Sequence, residues 1–277
     1  FGAEQEFYLF RLDDSGEPTK LPYDKAGYMD IAPDDRGENI RREICLTLEQ
    51  MGIQPESSHH EEGPGQNEID FRYSDALTAA DNAMTFQTVV KTVARRNGLF
   101  ADFTPKPLED KPGNGFHINV SVRSEDGSDK LPHVIAGMLD KICDMTAFLN
   151  PTENSYARLG RNKAPAYVSW SSENRSQLIR IPAATGEYRR AELRSPDPTA
   201  NPYLAFALII YAGLHGIKNR LEPPTSENLN LYKTTLEQLS KYKRLPQNLG
   251  AACVLASQSE FVRAHIPPSI LDIYLGR

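Results

Sequence analysis

Short segments in which polar and apolar residues alternate place the strongest constraint on the fold of this chain. In residues 67–73 (NEIDFRY), Glu68, Asp70 and Arg72 alternate with three apolar side chains. Successive side chains of a β-strand point to opposite faces, so this period of two predicts a half-buried strand. Strand-like patterns of similar length occur in four further segments: 4–10, 116–122, 177–181 and 189–195.

Three longer segments have apolar residues at helical spacing. We predict helices over residues 75–97, 134–149 and 202–218, the first followed by Gly98 as a stop signal. The Gly-Pro-Gly turn that precedes the strand 67–73 predicts a hairpin with residues 59–62. These elements indicate an α+β domain, in which helices cover the apolar face of a largely antiparallel sheet and the polar face stays open.

Composition excludes several classes of protein. The chain has a net charge of -6, whereas nucleic-acid binding requires a basic surface. Its strongly apolar segment 203–213 is too short to span a bilayer, which takes about 20 residues. The 3 cysteines are far apart and form no CxxC pair, which favours a reduced setting. We therefore expect a cytoplasmic protein that binds neither nucleic acid nor membrane.

The polar faces of the predicted strands carry several carboxylates and one imidazole. Glu4 and Glu6 are two residues apart in one strand, so both side chains point to the same side. The predicted hairpin brings together two carboxylates that flank its turn, and two further strands contribute the remaining side chains. We call these six residues the acidic cluster: Glu4, Glu6, Glu61, Glu68, His117 and Glu192.

Such a cluster requires cations, because like charges at close range raise one another's pKa. Oxygen ligands favour the hard divalent ions Mg²⁺ or Mn²⁺ over zinc, and two such ions side by side suit phosphoryl transfer. Five arginines would supply the bidentate donors that phosphate and carboxylate substrates need: Arg158, Arg175, Arg180, Arg190 and Arg194.

Each of these features also has an ordinary structural explanation. A Glu-x-Glu strand is usually a solvated face, and a single histidine such as His117 is more often a hydrogen-bonded core residue. The Arg-x-Glu-x-Arg pattern at 190–194 is common in cross-strand ion-pair ladders. His59 and His60 resemble a metal-binding pair, but adjacent strand residues point in opposite directions and cannot both ligate one ion.

Taken together and in order, these segments resemble the glutamine synthetase family of the bacterial type. The matching blocks are GAEQEF (2–7), HHEEGPGQNEIDFRYSDALTAADN (59–82), FTPKPL with GNGFHINVSV (103–122), ENRSQLIRIP (173–182) and RRAELRSPDPTANPYLAFAL (189–208). The resemblance covers nearly the whole chain. It implies one glutamine synthetase/guanidino kinase-like catalytic domain over residues 1–277, with a curved, largely antiparallel sheet and helices on its outer face.

The resemblance also implies roles for individual residues. The ligands of a first metal, beside the amino-acid substrate, would be Glu6, Glu61 and Glu68, and those of a second, which bridges the ATP phosphates, would be Glu4, His117 and Glu192. The residues that hold the amino-acid substrate would be Arg158 and Arg194 on its α-carboxylate and the carbonyl group of Gly113 on its amino group. The arginines on the transferred phosphate would be Arg175, Arg180 and Arg190. The nucleotide contacts would be Glu56, Tyr73, Asn119 and Ser121.

The implied activity is that of a glutamate–ammonia ligase. ATP phosphorylates the side-chain carboxylate of L-glutamate to a γ-glutamyl phosphate, and ammonia then displaces phosphate to give glutamine. Mg²⁺ or Mn²⁺, two or more per site, would act together with ATP. Members of the family form homo-oligomeric rings, commonly dodecamers, so a ring is the expected state of the full-length protein.

Two features depart from the family pattern. The chain begins at Phe1, without the family's N-terminal β-grasp domain, which completes the site of a neighbouring subunit, so we expect little activity from the chain alone. Lys163 stands where a carboxylate helps to bind ammonium, and Pro112 replaces an asparagine that contacts glutamate. Two alternatives therefore stay open: a γ-glutamyl ligase for another amine, such as a polyamine, and a non-catalytic paralogue on the same fold.

Overall fold

A computed structural model describes residues 1–172, 174–184 and 186–276, and the strands within these ranges form one sheet. The strands are β1 (Gly2–Leu12), β2 (Pro18–Pro22), β3 (Pro55–His60), β4 (Gln66–Phe71), β5 (Leu99–Asp102), β6 (Phe116–Val120), β7 (Trp170–Ser171), β8 (Ile179–Arg180) and β9 (Ala191–Leu193). Seven of them follow the order β3-β4-β1-β6-β9-β8-β7, and β2 and β5 also pair with β1. Among the described strands only β7 and β8 pair in parallel, which confirms the predicted largely antiparallel sheet.

Helices cover the apolar side of this sheet. They are α1 (Glu38–Gln50), α2 (Ala76–Arg96), α3 (Leu131–Leu149), α4 (Glu153–Arg158), α5 (Pro202–Lys218), α6 (Leu236–Leu239), α7 (Leu249–Gln258), α8 (Glu260–His265) and α9 (Pro268–Leu275). α1 and α2 contact the sheet directly, and α5 packs on both α2 and α3. Phe7 of β1, Phe116 of β6 and Phe206 of α5 are buried in the same hydrophobic core. The polar side of the central strands therefore stays open and can carry a functional site.

Local sequence signals set the ends of the main helices. The Asp75 carboxylate accepts hydrogen bonds from the backbone N–H groups of Leu77 and Thr78, both 3.1 Å, and so caps α2. The helix therefore begins at Ala76, one residue after its predicted start. α5 has the predicted bounds. α3 begins at Leu131 rather than at residue 134, because Pro132 suits the first turn of a helix.

Several other expectations need correction. The segments predicted as strands over 177–181 and 189–195 contain only the short strands β8 and β9. β4 and β6 end before Tyr73 and Ser121, so these two predicted nucleotide contacts lie just beyond the strands. Helices α1 and α7–α9 were not predicted. Glu173, the first residue of the matching block 173–182, lies outside the described residues. None of the described helices is both long and apolar enough to cross a membrane.

Candidate active site

The strand register brings the acidic cluster together on the polar face of the sheet. In the pairing of β1 with β4, Glu4 lies opposite Asp70 and Glu6 lies opposite Glu68. In the pairing of β1 with β6, Glu4 lies opposite His117. Directly paired residues point to the same face of a sheet, so two neighbouring pairings are enough to assemble most of the cluster.

The predicted hairpin supplies the next part of the site. β3 and β4 pair antiparallel, with His59 opposite Glu68, as the turn signal predicted. His59 faces the cluster, and its Nε2 atom lies 3.1 Å from Glu61 Oε1 and 3.9 Å from Glu68 Oε1. His60 points the other way and is fully buried. The expectation that these two histidines cannot share one ion is therefore confirmed.

The candidate ligand atoms fall into overlapping groups. In each of three groups, one atom per residue lies within 4.8 Å of the others: Glu4, His117 and Glu192; Glu6, Glu68 and His117; His59, Glu61 and Glu68. The first group is the set predicted for the second metal. The set predicted for the first metal is divided: Glu6 belongs to the second group, Glu61 belongs to the third, and Glu68 belongs to both. Carboxylate oxygens with one imidazole nitrogen are ligands that suit Mg²⁺ or Mn²⁺, so the donor set fits the predicted ions.

The electrostatics of the cluster also fit cations. Burial, followed by the nearby charge of Glu61, raises the pKa of Glu6 to about 7. Burial and the charge of Glu4 raise the pKa of Asp70 to about 7, and burial with four neighbouring carboxylates raises that of Glu68 well above its usual value. Burial and the charge of Arg194 hold the pKa of His117 far below its usual range, so its imidazole is neutral and able to ligate.

Arginines from the end of α4, from β8 and from the residue after β9 close one side of the cleft. Arg158 is buried and donates to the backbone oxygen of Ser195 at 2.7 Å and to that of Arg194 at 3.2 Å. Arg180 Nε donates to Glu192 Oε2 at 2.6 Å, and Arg194 forms an ion pair with Glu192 Oε1. The ion-pair ladder considered for this pattern is present only in part, because Glu192 pairs with Arg194 and, across the strands, with Arg180 but not with Arg190. These ion pairs coexist with the metal-ligand geometry, since Glu192 Oε1 stays 3.6 Å from His117 Nδ1.

Gly113 lies at the rim of the same cleft. Its carbonyl oxygen accepts a hydrogen bond of 3.1 Å from Gln66 Nε2, a side chain that lies 3.3 Å from Glu6 Oε2. A Cβ atom at Gly113 would lie 2.3 Å from the Pro105 carbonyl oxygen and 2.9 Å from Arg158 Cγ. Only glycine fits this position, which keeps the backbone of the rim close to Arg158.

Two cavities meet at the cluster. The first, with a volume of about 220 Å³, is lined by eleven of the predicted residues: Glu4, Glu6, Glu61, Glu68, Gly113, His117, Arg158, Arg175, Arg180, Glu192 and Arg194. The second, of about 240 Å³, is lined by all four predicted nucleotide contacts and by Arg190: Glu56, Tyr73, Asn119, Ser121 and Arg190. Glu4 and Asp70 line both cavities, so the two lie side by side at the cluster.

Arg190 does not lie with the other two arginines predicted to act on phosphate. Arg175 and Arg180 line the first cavity, whereas Arg190 lines the second and donates through Nε to Asn119 Oδ1 at 2.9 Å. Asn119 in turn donates to Glu4 Oε1 at 2.7 Å. Arg190 is therefore linked to the cluster through the nucleotide cavity.

Sequence reasoning assigned no role to several side chains of the first cavity, among them Asp70, His59 and Tyr28. Asp70 shares the charged face of its strand with Glu68, so the alternation could have identified it. His59 was considered only as half of a pair, and the hydrogen bond to Glu61 has no sequence signal. Tyr28 comes from a segment without regular structure, and its ring makes an edge contact with the His59 ring, centroids 5.8 Å apart.

The two residues that depart from the family pattern also line the first cavity. The Lys163 ammonium group forms an ion pair with the Glu62 carboxylate and lies 5.4 Å from the centroid of the Tyr28 ring. The Pro112 carbonyl oxygen accepts a hydrogen bond of 2.7 Å from the hydroxyl group of Tyr8. Both departures therefore belong to the walls of the cavity.

Comparison with known proteins gives a consistent result. The family model described as the glutamine synthetase catalytic domain matches residues 1–276. Glutamine synthetases from Clostridium saccharobutylicum and Staphylococcus aureus are 45% and 46% identical over 290 aligned residues, which cover 99% of this chain. The chain spans 66% and 65% of the length of these two relatives, slightly less than two thirds.

Solved structures agree with the sequence matches. A GmaS/ADP complex is 32% identical, with a TM-score of 0.84 over 97% of this chain and 65% of that protein. A Plasmodium falciparum glutamine synthetase is 23% identical, with a TM-score of 0.83 over 99% of this chain and 70% of that protein, and supports the fold alone. Fold and site define an α+β domain whose antiparallel sheet carries a carboxylate-rich cleft on its open face. The chain belongs to the glutamine synthetase catalytic-domain family.

Proposed function

We propose that the protein ligates ammonia to the side-chain carboxylate of L-glutamate at the expense of ATP, and that residues 1–277 form its catalytic domain. The adjacency of the two cavities at the acidic cluster carries the proposal. A nucleotide whose base and ribose occupied the second cavity would direct its phosphates past Glu4 and Asp70 toward the acidic cluster. The relatives named glutamine synthetase, and the ADP bound in the GmaS structure, support this assignment.

The acidic cluster would hold two divalent cations. We assign Glu6, Glu61 and Glu68 to one ion, and Glu4, His117 and Glu192 to the other. When bound, the cations would neutralise the phosphate oxygens of ATP. The protein's own contribution is to hold four carboxylates and a neutral imidazole on paired strands, and the Glu61 carboxylate directly after β3, so that they need not rearrange when the substrate arrives.

The arginines would orient glutamate and stabilise the moving charge. Arg158 and Arg194 would bind its α-carboxylate, with the Gly113 carbonyl group accepting from its amino group. A side-chain carboxylate oxygen of glutamate then attacks the γ-phosphorus, the bond from that phosphorus to the bridging oxygen breaks, and ADP leaves. Arg175 and Arg180 would donate to the phosphate in transfer, and Arg190 to the phosphates from the nucleotide side.

The second step replaces phosphate by nitrogen. The ammonia nitrogen attacks the acyl carbon, the carbon–oxygen bond to phosphate breaks, and a proton leaves the nitrogen to give the neutral amide. Phosphorylation makes this possible, because phosphate is a far better leaving group than oxide.

The surroundings of Lys163 remove one reason to expect an acceptor other than ammonia. An unpaired cation at the cavity would repel ammonium, but the Lys163 charge is matched by the adjacent Glu62 carboxylate. The reason to expect a different amine is therefore weakened. The complete cluster also disfavours a non-catalytic paralogue, since an assembly of buried carboxylates is costly to retain without cations.

Phosphate release by the full-length protein with ATP, glutamate and Mg²⁺ or Mn²⁺ tests this proposal. We expect release that depends on ammonium and yields glutamine, and that is lost in Glu192→Gln but retained in the matched control Glu49→Gln on the exposed face of α1. Release stimulated only by methylamine or a polyamine would show that the acceptor is wrong. Absence of release with any amine would refute the ligase activity. Light scattering on the same sample would test the homo-oligomeric ring that we also propose.

A further inference from the structure

A buried polar network lies behind the hairpin that carries Glu61 and Glu68, and the proposed chemistry gives it no role. Each of its five side chains is at most 6% exposed, and we call them the anchor network: Asp24, Asp35, Arg41, His60 and Asn67. His60 and Asn67 alternate with His59 and Glu68 in their strands, so they point away from the acidic cluster.

His60 fixes the backbone of Glu61. His60 Nδ1 lies 2.7 Å from the Glu61 carbonyl oxygen, which can only accept, so Nδ1 is a donor. His60 Nε2 lies 2.9 Å from Asp24 Oδ1. The Glu61 N–H group donates to the Gln66 carbonyl oxygen at 2.8 Å. Both backbone polar groups of this predicted metal ligand are therefore held in place.

Asp24 fixes the turn between Glu61 and Glu68. Its Oδ1 atom also accepts from the Gly65 N–H group at 2.9 Å, and its Oδ2 atom accepts from the Arg36 N–H group at 3.1 Å. The Gly65 carbonyl oxygen accepts from Asn67 Nδ2 at 2.9 Å. Gly65 has a φ of +69°, and a Cβ atom there would lie 2.8 Å from the Leu9 carbonyl oxygen. The turn thus has one conformation, which the network supports on both sides of the Gly65 residue.

Arg41 completes the network and connects it to α1. Its guanidinium group donates to both oxygens of Asp35, at 3.1 and 2.6 Å, and to Asn67 Oδ1 at 2.6 Å. Buried charges of this kind contribute little net stability compared with apolar residues of the same size. They do enforce a single arrangement of the backbone that they bind, which matters most where that backbone carries ligands.

We propose that Asp24 and His60 are positioning residues for one of the two cations: they hold the Glu61 backbone and the hairpin turn so that the Glu61 and Glu68 carboxylates converge. The inference rests on the proposed function. It predicts that loss of the anchor network affects the two ion sites unequally. His117 and Glu192 of the other site lie on β6 and β9, and among the described residues the anchor network makes no hydrogen bond to either strand.

Mn²⁺ titration of the full chain, followed by electron paramagnetic resonance, tests the inference. The variants Glu61→Gln and Glu192→Gln identify which binding constant belongs to which site. We expect Asp24→Ala to weaken Mn²⁺ binding at the Glu61 site by about 10- to 100-fold, the usual effect of removing a residue that orients a metal ligand. Binding at the His117 site should change by less than about threefold, the scale of one neutral hydrogen bond.

Two further variants separate positioning from general loss of stability. Val93→Ala removes buried volume from α2, which contributes no side chain to the anchor network or the acidic cluster, and should lower the melting temperature without changing either Mn²⁺ constant. Asp24→Asn keeps an oxygen for the Gly65 N–H group, so it should fold even if Asp24→Ala does not. Its loss of Mn²⁺ affinity should be confined to the Glu61 site and should be smaller than that of Asp24→Ala.

The outcomes distinguish this inference from the function on which it rests. No Mn²⁺ uptake by the unaltered chain would overturn the two-metal site and this inference with it. Two results would overturn the inference alone, provided that the unaltered chain takes up Mn²⁺. One is equal weakening of Mn²⁺ binding at both sites in the Asp24 variants, and the other is no change at the Glu61 site.

Discussion

Replacement of Glu6 by its neutral isostere should stabilise the metal-free chain, in a way that depends on pH. A pKa raised from 4.5 to about 7 means that ionised Glu6 costs the folded state roughly 3 kcal/mol relative to a neutral side chain. Between these two values the folded state binds more protons than the unfolded state, so stability falls as pH rises. Glu6→Gln removes this penalty while its amide oxygen can still accept from the Gly115 N–H group, 2.7 Å from Glu6 Oε2.

Urea unfolding of both chains in EDTA, at about pH 5 and about pH 8, measures this difference. We expect Glu6→Gln to be more stable than the unaltered chain by up to about 3 kcal/mol at the higher pH, and by much less at the lower pH. Mn²⁺ at about 1,000 times the dissociation constant should reverse the order, because it stabilises a binding-competent chain by about 4.1 kcal/mol. The exposed control Glu49→Gln should show neither effect. A Glu6→Gln chain that was less stable in EDTA at the higher pH would refute the reasoning.

Three other substitutions test separate parts of the site. Gly113→Ala should lower the free energy of unfolding by about 1–3 kcal/mol and weaken glutamate binding, because its Cβ atom would press on the Pro105 carbonyl group and Arg158. Unchanged glutamate affinity in calorimetry would contradict this. Arg158→Lys replaces the two guanidinium nitrogens that bind the Ser195 and Arg194 carbonyl oxygens by one ammonium group, so we expect a loss of about 1–3 kcal/mol in unfolding free energy and a higher KM for glutamate with little change in Mn²⁺ affinity. Lys163→Met breaks an ion pair between partly exposed side chains and should change the unfolding free energy by less than about 1 kcal/mol, and a larger loss would show that this pair is a major stabilising contact.

The acidic cluster could be predicted because strands impose a simple geometry on sequence. Glu4 and Glu6 share a face in any strand, and the Gly-Pro-Gly turn predicts which strand lies beside residues 59–62. The order of the strands was not readable, since β1 pairs with β4, β5 and β6, all distant in sequence. The assignment of individual ligands came from resemblance to the glutamine synthetase family rather than from pattern.

The missed elements have physical reasons. α1 buries only a narrow stripe, including Ile40, Ile44 and Leu48, within a polar segment whose helical period is easily overlooked. α7–α9 are short helices whose packing against α3 and one another decides their position. His60 pairs with Asp24, which lies 36 positions earlier in a segment without regular structure, and no local pattern indicates this pairing.

Anomalous diffraction from crystals of the full chain grown with Mn²⁺ tests the two-metal site most directly. The account predicts two Mn²⁺ peaks in the cleft, one bound by Glu6, Glu61 and Glu68 and the other by Glu4, His117 and Glu192. A map at full Mn²⁺ saturation without density between these side chains, or with Mn²⁺ bound only elsewhere on the chain, would contradict it.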